Sequence, residues 1–215
     1  MKSILVIGLG RFGYHLALKS VALGNDVLVA DIDEELVERH SNEFEDSKIC
    51  DCTDENVIKS LGVSNFDYCI VAVGTNFQAA MEITALLKEF GAKCVIAKAS
   101  SERHAILLKK IGADRIIYPE RDIAEKTAIR LNVNNIFDYI ELSDDYVVCE
   151  IPVPSDWVGK TVGAVNVRRK YSVNIIAVKR AEKIDIELSA EYTFLEGELL
   201  IVVGRADRIY KLASK

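Results

Sequence analysis

Residues 1–120 alternate between short apolar runs and longer stretches in which apolar residues recur with helical spacing. The runs are apolar on both faces, which is typical of parallel strands covered by helices on each side. They lie at 4–7, 27–30, 48–50, 68–73, 94–97 and 115–118, with helical stretches between them at 12–23, 34–44, 54–61, 76–90 and 102–111. This alternation predicts an α/β domain with a Rossmann-like, doubly wound parallel sheet.

The pattern changes after a further helix, which is predicted over 120–131. A polar, turn-prone segment follows at 132–135. Beyond it lie strand-like segments near 146–153, 173–179 and 199–203, with helices near 161–170 and 205–213. We therefore predict two domains, a larger one over 1–134 and a small α+β module over 135–215.

A glycine-rich loop joins the first predicted strand to the first predicted helix. Residues 8–13 read Gly-Leu-Gly-Arg-Phe-Gly, the G-x-G-x-x-G pattern of dinucleotide-binding folds, in the strand-to-helix context that this pattern requires. Gly8 suits the tight turn, Gly10 lets a phosphate approach the backbone, and Gly13 lets the helix pack on the sheet. Asp31 ends the second predicted strand, where it can accept the ribose hydroxyls. The loop and the acid together predict nucleotide binding in the domain 1–134.

The residues around this motif favour particular nucleotides. Arg11 and Phe12 lie inside the loop, and the Arg11 guanidinium suits several phosphate oxygens at once, as in the terminal phosphates of ATP or ADP. The alternative is that Arg11 is a solvated residue at a helix start. Asp31 is followed by Ile32 and Asp33, which provide no cation for a 2′-phosphate, so NADP is disfavoured.

Ligands of such sheets bind at the carboxyl ends of the strands, which identifies further candidate pocket residues. The third predicted strand leads to the expected adenine edge, and the fourth leads to the expected far wall of the pocket. These candidates are Asp51 and Cys52 at the adenine edge, and Ala72, Val73, Gly74 and Asn76 at the far wall.

Lys98 follows the fifth predicted strand and Glu120 the sixth. Lys98 could neutralise phosphate while Glu120, just outside the pocket or from a second subunit, holds Mg²⁺, Ca²⁺ or another cation on it. A catalytic Lys/Glu pair is a second interpretation. A third is that Glu120 only stabilises the start of its helix through the helix dipole.

Charge and cysteine usage exclude several classes of function. The chain has 33 acidic and 27 basic side chains, a formal net charge of −6, so no overall field attracts nucleic acid. No apolar run reaches the roughly 18 residues that a membrane-spanning helix needs, so we expect a soluble, cytoplasmic protein. The five cysteines lack C-x-x-C spacing and histidine neighbours, although Cys50-x-Cys52 could in principle seed a metal site.

Several segments together resemble the RCK domains of KtrA/TrkA-type regulatory subunits of potassium uptake systems. They are residues 7–13, Asp31 and 111–120 in the first domain, and 158–161, 166–168 and 171–180 in the second. The resemblance spans essentially the whole chain. Because it includes both domains in their order, it is more specific than any one motif.

The resemblance implies a non-enzymatic, cytoplasmic subunit that binds ATP and ADP at one site and sits at the inner face of the membrane. It further implies a homodimer that assembles into an octameric ring on a membrane potassium transporter of the KtrB/TrkH type. By similarity, Arg11 would contact the terminal phosphate of ATP, Asp31 the ribose, Lys98 the phosphates, and Glu120 a divalent cation at the dimer interface.

Some members of this family bind cyclic di-AMP between paired C-terminal modules. Arg168, Asn174 and Ile175 match positions used there, so a second nucleotide site is possible in this chain. The segment 188–191 has no proline where several of those proteins carry one.

Two other classes of function stay open on the sequence. An NAD-dependent oxidoreductase would suit the fold and Asp31, but the second domain is small for a substrate domain and no acid/base pair is evident. An NAD(H)-sensing transcription regulator would need a basic DNA-binding helix, and the only basic cluster, 168–170, is short.

Overall fold

Six parallel strands form the first sheet of the computed structural model, which describes residues 1–132, 138–143, 145–181 and 183–213. Its strands are β1 (Ser3–Ile7), β2 (Asp26–Asp31), β3 (Asp46–Ile49), β4 (Tyr68–Val71), β5 (Val95–Lys98) and β6 (Arg115–Ile117). Its helices are α1 (Arg11–Ala22), α2 (Glu34–His40), α3 (Glu55–Leu61), α4 (Phe77–Glu89), α5 (Glu102–Ile111) and α6 (Pro119–Asn132). The strand order β3-β2-β1-β4-β5-β6 confirms the predicted Rossmann-like sheet.

The order reverses between β1 and β4, and this reversal decides where a ligand can enter. Connections leave β1 and β4 toward opposite sides, so a crevice opens at their carboxyl ends. Both strands are central and register directly, with Leu5 opposite Cys69 and Ile7 opposite Val71. The glycine loop follows β1, and it therefore lies at the crevice.

Successive residues of β1 are buried on opposite faces of the sheet. Leu5 belongs to the apolar cluster on one face and Val6 to the cluster on the other, and both are fully buried. This is why the strand appears in the sequence as an uninterrupted apolar run. Complete burial of such a side chain contributes about 1.5–3 kcal/mol, so β1 anchors both cores.

Side-chain caps fix the starts of two helices near the crevice. Asp54 accepts a hydrogen bond from the N–H of Asn56 at 2.8 Å, and Asn76 accepts one from the N–H of Ala79 at 3.1 Å. Helices α3 and α4 therefore begin one residue later than the helical stretches predicted from 54 and 76. Each cap is worth about 1 kcal/mol.

The chain falls into two units, 1–121 and 122–215, and the second contains an antiparallel sheet. Its strands are β7 (Asp138–Glu141), β8 (Tyr146–Pro152), β9 (Val173–Arg180), β10 (Lys183–Asp185) and β11 (Leu199–Arg205), in the order β10-β9-β11-β8-β7. Its helices are α7 (Val162–Val165), α8 (Val167–Tyr171) and α9 (Ala206–Ala213). Trp157 and Phe194 are buried in its core with α9 packed on β8 and β11, which confirms the small α+β module.

Two features of this unit differ from the sequence prediction. The sequence analysis missed the edge strands β7 and β10, and the three residues of β10 are all exposed, so no buried alternation marks that strand. The single helix predicted over 161–170 is wrong. Asn166 interrupts it with φ +52° and ψ +52°, a left-handed conformation that asparagine tolerates better than most residues, and α7 and α8 result.

The domain boundary that we predicted after residue 134 lies outside the described residues. Helix α6 runs across the division between the two units at residues 121 and 122. The boundary therefore stays a prediction. In the part of the chain that the structure describes, no helix combines the length and the apolar character needed to cross a bilayer.

Candidate functional site

Gly8 makes the turn from β1 into the glycine loop, residues 8–13. Its φ of +102° lies in the region that favours glycine. A Cβ at this position would lie 3.0 Å from both the carbonyl carbon of Ala72 and the nitrogen of Val73, so a side chain would collide with the backbone after β4. The N–H of Gly8 donates to the carbonyl oxygen of Ala30 at 2.8 Å. The turn therefore lies between the ends of β2 and β4.

The other two glycines of the loop have different surroundings. A Cβ at Gly13 would collide with the carbonyl oxygen of Gly8 and lie 2.9 Å from the Cβ of Ala72, so α1 packs on the sheet only because residue 13 is glycine. Gly10 has an ordinary φ of −59°, and a Cβ there would meet no atom within 4 Å. Neither backbone strain nor packing in the described structure requires glycine at position 10, and the space above it is open.

The amino end of α1 offers a favourable environment for an anion. Gly10 is the N-cap residue and supplies no side-chain acceptor, and the first turn contains no acidic residue. The N–H groups and the positive end of the helix dipole therefore face the open space beside Gly10. Arg11 is exposed in this turn and adds a permanent positive charge.

Asp31 connects the glycine loop to the end of β2. One carboxylate oxygen, Oδ2, accepts a hydrogen bond from the N–H of Leu9 at 2.6 Å, and Oδ1 accepts one from the N–H of Asp33 at 3.0 Å. Each carboxylate oxygen can accept more than one hydrogen bond. Asp31 therefore holds the loop in shape and keeps acceptor capacity for a ligand hydroxyl. Ile32, which follows it, is exposed.

The residues after β3 are arranged in a hydrogen-bonded turn. Oδ1 of Asp51 accepts from the N–H of Thr53 at 2.9 Å and from its hydroxyl at 2.7 Å, and these bonds lower the pKa of Asp51, the hydroxyl bond most strongly. Cys52 is buried, with its Sγ 3.9 Å from the Sγ of Cys50. Asp51 is exposed, whereas Cys52, the next residue, is buried.

The segment after β4 passes from the core to the surface within a few residues. Ala72 is buried, Val73 is half-buried and Gly74 is exposed. A Cβ at Gly74 would lie 3.4 Å from the Nζ of Lys98, so this segment contacts the end of β5. Asn76 is exposed and uses its side-chain oxygen to cap α4.

Lys98 and Glu120 form an ion pair across the ends of β5 and β6. The Nζ of Lys98 lies 3.1 Å from Oε1 of Glu120, and the Lys98 side chain is only 15% exposed whereas that of Glu120 is 61% exposed. The same ammonium lies 5.9 Å from the centre of the Phe12 ring, within the range of a cation–π contact. The two predicted residues therefore contact each other directly, and Phe12 of the glycine loop helps to position Lys98.

The charge state of Glu120 reflects these neighbours. A hydrogen bond from its own backbone N–H lowers the pKa of Glu120 most, followed by the hydrogen bond from Lys98, and the charge of Arg11 acts in the same direction. Arg11 and Lys98 thus act on one carboxylate. Among the described residues, no group of three or more His, Cys, Asp or Glu side chains could hold a metal ion. Glu120 offers a single carboxylate, so a cation there would need oxygen ligands from a nucleotide or another subunit.

Comparison with known proteins assigns the chain to a family. The model of the TrkA-N domain matches residues 4–119, and that of the TrkA-C domain matches residues 147–215. The Ktr system potassium uptake protein C of Bacillus subtilis is 38% identical over 214 residues, which cover 100% of this chain and 97% of that protein. The Ktr system potassium uptake protein A of the same organism is 37% identical over 100% of this chain and 96% of that protein.

The chain belongs to the KtrA/TrkA family of RCK proteins. The resemblance that the sequence motifs indicated is thereby confirmed, and it extends over both units of the RCK protein.

Solved structures share the fold of this RCK protein at lower identity. The GsuK channel superposes with a TM-score of 0.71 at 20% identity, covering 98% of this chain and 38% of the channel chain. A structure of the GsuK channel bound to NAD superposes with a TM-score of 0.68 at 18% identity, covering 100% of this chain and 39% of the channel chain. This likeness shows the fold, and this chain spans less than half the length of the channel chain.

A second candidate site lies in the TrkA-C part of the RCK protein. Arg168, Asn174 and Ile175 all line one cavity of about 300 Å³, so the structure brings together the three residues that the sequence suggested for a second nucleotide. The sequence analysis did not identify the other lining residues, which are Val162, Gly163, Asn166, Val167, Val173 and Leu188. The left-handed Asn166 is the N-cap residue of α8 and lines this cavity together with Arg168, which belongs to the first turn of that helix.

Another group of residues near the crevice was not predicted from the sequence. The ring of His104 stacks on that of Phe77, with ring centres 3.6 Å apart and planes 7° apart, and its Nδ1 lies 2.8 Å from the hydroxyl oxygen of Ser100. The sequence places His104 in a helix and indicates no Ser, Cys or carboxylate partner for it, so it is expected at the surface. Phe77 begins α4, Ser100 lies between β5 and α5, and His104 belongs to the first turn of α5, so sequence spacing alone does not bring His104 and Phe77 together.

Proposed function

We propose that this RCK protein is the nucleotide-binding regulatory subunit of a potassium uptake system and that ATP and ADP compete for the crevice at the glycine loop. The likeness to the Ktr potassium uptake proteins A and C of Bacillus subtilis supports the potassium system, because it covers both units and nearly the full length of those proteins. The single observation that carries the nucleotide is the pairing of an open α1 amino end at Gly10 with the cations Arg11 and Lys98.

The positive charges favour ATP and ADP over NAD. A pyrophosphate held by the loop needs the N–H groups of α1 and no further cation. Arg11 and Lys98 add two positive charges close enough to act on the same carboxylate, that of Glu120. Two cations at this place suit the additional negative charge of terminal phosphates. NAD(H) sensing and NAD-dependent oxidation are the alternative functions, since Asp31 suits the ribose of either nucleotide and the fold occurs in a channel solved with NAD.

Nucleotide exchange can control a transporter only through a difference in affinity. A nucleotide that binds two conformations of the assembly equally shifts nothing, whereas one that prefers a conformation by about 5.5 kcal/mol shifts it from 1:99 to 99:1. We propose that the assembly is a homodimer that forms an octameric ring at the cytoplasmic face of the membrane, on a transporter subunit of the KtrB/TrkH type. In this function the chain binds nucleotide without turning it over.

A cation completes the proposed site. With nucleotide bound, the phosphates would attract Lys98 and release Glu120 to ligate Mg²⁺ or Ca²⁺ together with phosphate oxygens. Lys98 and Glu120 are 3.1 Å apart, so Lys98 has to move away from the carboxylate before a cation can bind there. Nucleotide binding and cation binding are therefore interdependent.

The cavity in the TrkA-C part is proposed as a site for cyclic di-AMP. Arg168 can contact a phosphate, Asn174 can contact a base or ribose, and Ile175 provides an apolar wall. A cavity of about 300 Å³ in one chain is small for a dinucleotide, so the complete site would need a second copy of this module.

Calorimetric titration of the purified protein with ATP, ADP, NAD and NADH, with and without Mg²⁺ or Ca²⁺, tests the main proposal. We expect ATP and ADP to bind and to displace each other, with NADH at least about tenfold weaker, a difference of about 1.4 kcal/mol. Tight NADH binding together with hydride transfer would contradict the regulatory function and support an NAD-dependent oxidoreductase.

A further inference from the structure

Two thiols lie close together directly after β3. The Sγ of Cys50 is 3.9 Å from the Sγ of Cys52, and a single residue separates them in the chain. Both residues lie between the end of β3 at Ile49 and the start of α3 at Glu55, and Cys52 is already in the turn that follows the strand. All five cysteines of the chain are free thiols in the structure.

The pair adjoins the proposed ribose acceptor. The N–H of Cys50 donates to the backbone carbonyl oxygen of Asp31 at 2.9 Å, which continues the pairing of β2 with β3. The intervening Asp51 forms the hydrogen-bonded turn with Thr53. A covalent change in the thiol pair would therefore act directly on the backbone beside Asp31.

The two thiols differ in access to solvent. Cys50 is half-buried, whereas Cys52 is only 3% exposed. Burial raises the pKa of Cys52 above its ordinary value, and the adjacent Cys50 and the carboxylates of Asp51 and Asp31 add to the effect. Because a thiol reacts through its thiolate, Cys50 is the residue that a soluble reagent would meet first.

We propose that Cys50 and Cys52 form a redox modification site, in which a small-molecule disulfide converts the two thiols into an intramolecular disulfide that lowers nucleotide affinity in the adjoining crevice. The effect on nucleotide rests on the proposed function, whereas formation of the disulfide does not.

The reaction is two successive thiol–disulfide exchanges. The Cys50 thiolate attacks one sulfur of the small disulfide, the S–S bond of the reagent breaks, and one thiolate leaves and takes a proton from water. The Cys52 sulfur then attacks the Sγ of Cys50 and releases the second small thiolate, which receives the proton of Cys52. The protein loses two hydrogen atoms, and the reagent is reduced to two thiols.

The product would be readily reversible. The sulfurs have to move from 3.9 Å to a bond of about 2.05 Å within a loop of three residues, and so small a ring departs from the preferred disulfide geometry. Strained disulfides are reduced easily, so the pair would stay reduced in a reducing compartment and close under oxidation. Closure would also distort the hydrogen-bonded turn of Asp51 and Thr53, because Asp51 lies between the two cysteines.

Treatment of the purified full-length protein with oxidised glutathione tests the proposal. We expect intact-mass spectrometry to find the loss of two hydrogen atoms, peptide mapping to link Cys50 to Cys52, and dithiothreitol to reverse the change. We expect the affinity for ATP and ADP to fall about fivefold or more on oxidation, the lower end of typical coupling between two sites.

Matched variants separate the outcomes. Cys50→Ala should abolish the two-hydrogen loss, and Cys94→Ala, which removes another half-buried thiol, should leave it intact. Absence of the Cys50–Cys52 link in the unsubstituted protein, or its formation with unchanged nucleotide affinity, would overturn the proposal. If the reduced protein bound no nucleotide, the proposed function would fail, while the mass measurement would still decide the modification site.

Discussion

The ammonium of Lys98 lies 3.1 Å from the carboxylate of Glu120, so the last residue of β5 and a residue of the first turn of α6 bind each other directly. The mostly buried Lys98 is positioned further by the Phe12 ring of the glycine loop. In the proposed mechanism a phosphate and a cation have to separate this pair, which makes nucleotide and cation binding interdependent.

Replacing the cation of this pair tests its role toward phosphate. Lys98→Met keeps the length of the side chain and removes the charge, so we expect ATP affinity measured by calorimetry to fall about tenfold or more, as for the loss of one charge-assisted hydrogen bond. Lys93→Met is the matched control. Lys93 precedes β5, at the amino end of the strand and away from the proposed site, and its Nζ lies 3.9 Å from a carboxylate oxygen of Asp67. Equal ATP affinities in the two variants would show that Lys98 does not contact the phosphates.

Glu120→Gln tests the cation. The amide keeps the shape of the side chain but is a poor ligand for Mg²⁺ or Ca²⁺, so we expect ATP affinity to become independent of these cations. The measurement is a titration of ATP with and without each cation. An unchanged cation response in the variant would exclude Glu120 from the cation site.

The same carboxylate predicts a pH dependence. The pKa of Glu120 lies below its ordinary value of 4.5, first because of its own backbone N–H and then because of Lys98. The ion pair is therefore fully formed above that value and is lost only as the pH falls through the lowered pKa. We expect the cation response to be unchanged from neutral pH down to 4.5 and to be lost only as the pH falls further, through the lowered pKa of Glu120.

Arg11→Ala tests the distinction between ATP and ADP. If the guanidinium contacts the terminal phosphate, ATP affinity should fall about tenfold and ADP affinity much less. Lys19→Ala, which removes a cation from the last turn of the same helix, should leave both affinities unchanged. Equal losses for ATP and ADP in Arg11→Ala would contradict the assigned contact.

The glycine loop allows packing and ligand access to be separated. Gly13→Ala places a Cβ against the carbonyl oxygen of Gly8, so we expect the protein to lose about 1–3 kcal/mol of unfolding free energy in urea. Gly10→Ala meets no atom, so it should cost less than about 1 kcal/mol and still weaken nucleotide binding. A stable Gly10→Ala protein with full affinity would show that phosphate does not approach there.

Arg168 and Arg169 provide an internal comparison for the second site. Both are exposed on α8, but only Arg168 is among the described residues that line the cavity. We expect Arg168→Ala to weaken cyclic di-AMP binding about tenfold, as for a lost contact to phosphate, and Arg169→Ala to leave it unchanged. If the ligand binds neither the unsubstituted protein nor Arg169→Ala, the second site does not exist.

The sequence by itself determined the first sheet and the position of the crevice. Residues such as Leu5 and Val6 are buried on opposite faces, and this local pattern is directly visible along the chain. The turn at Gly8 and the close packing at Gly13 also follow from a motif of six consecutive residues. At both positions, nearby backbone atoms leave no room for a side chain.

Only the tertiary structure decided which distant residues contact one another. It decides that Lys98 and Glu120 contact each other directly, which was one of several interpretations of the sequence. It also stacks His104 on Phe77 and breaks the predicted helix at Asn166, neither of which was predicted from the sequence. The physical reason is that secondary structure follows local periodicity and backbone preference. Contacts between strand ends depend instead on sheet order and side-chain packing, which arise only when the whole unit folds.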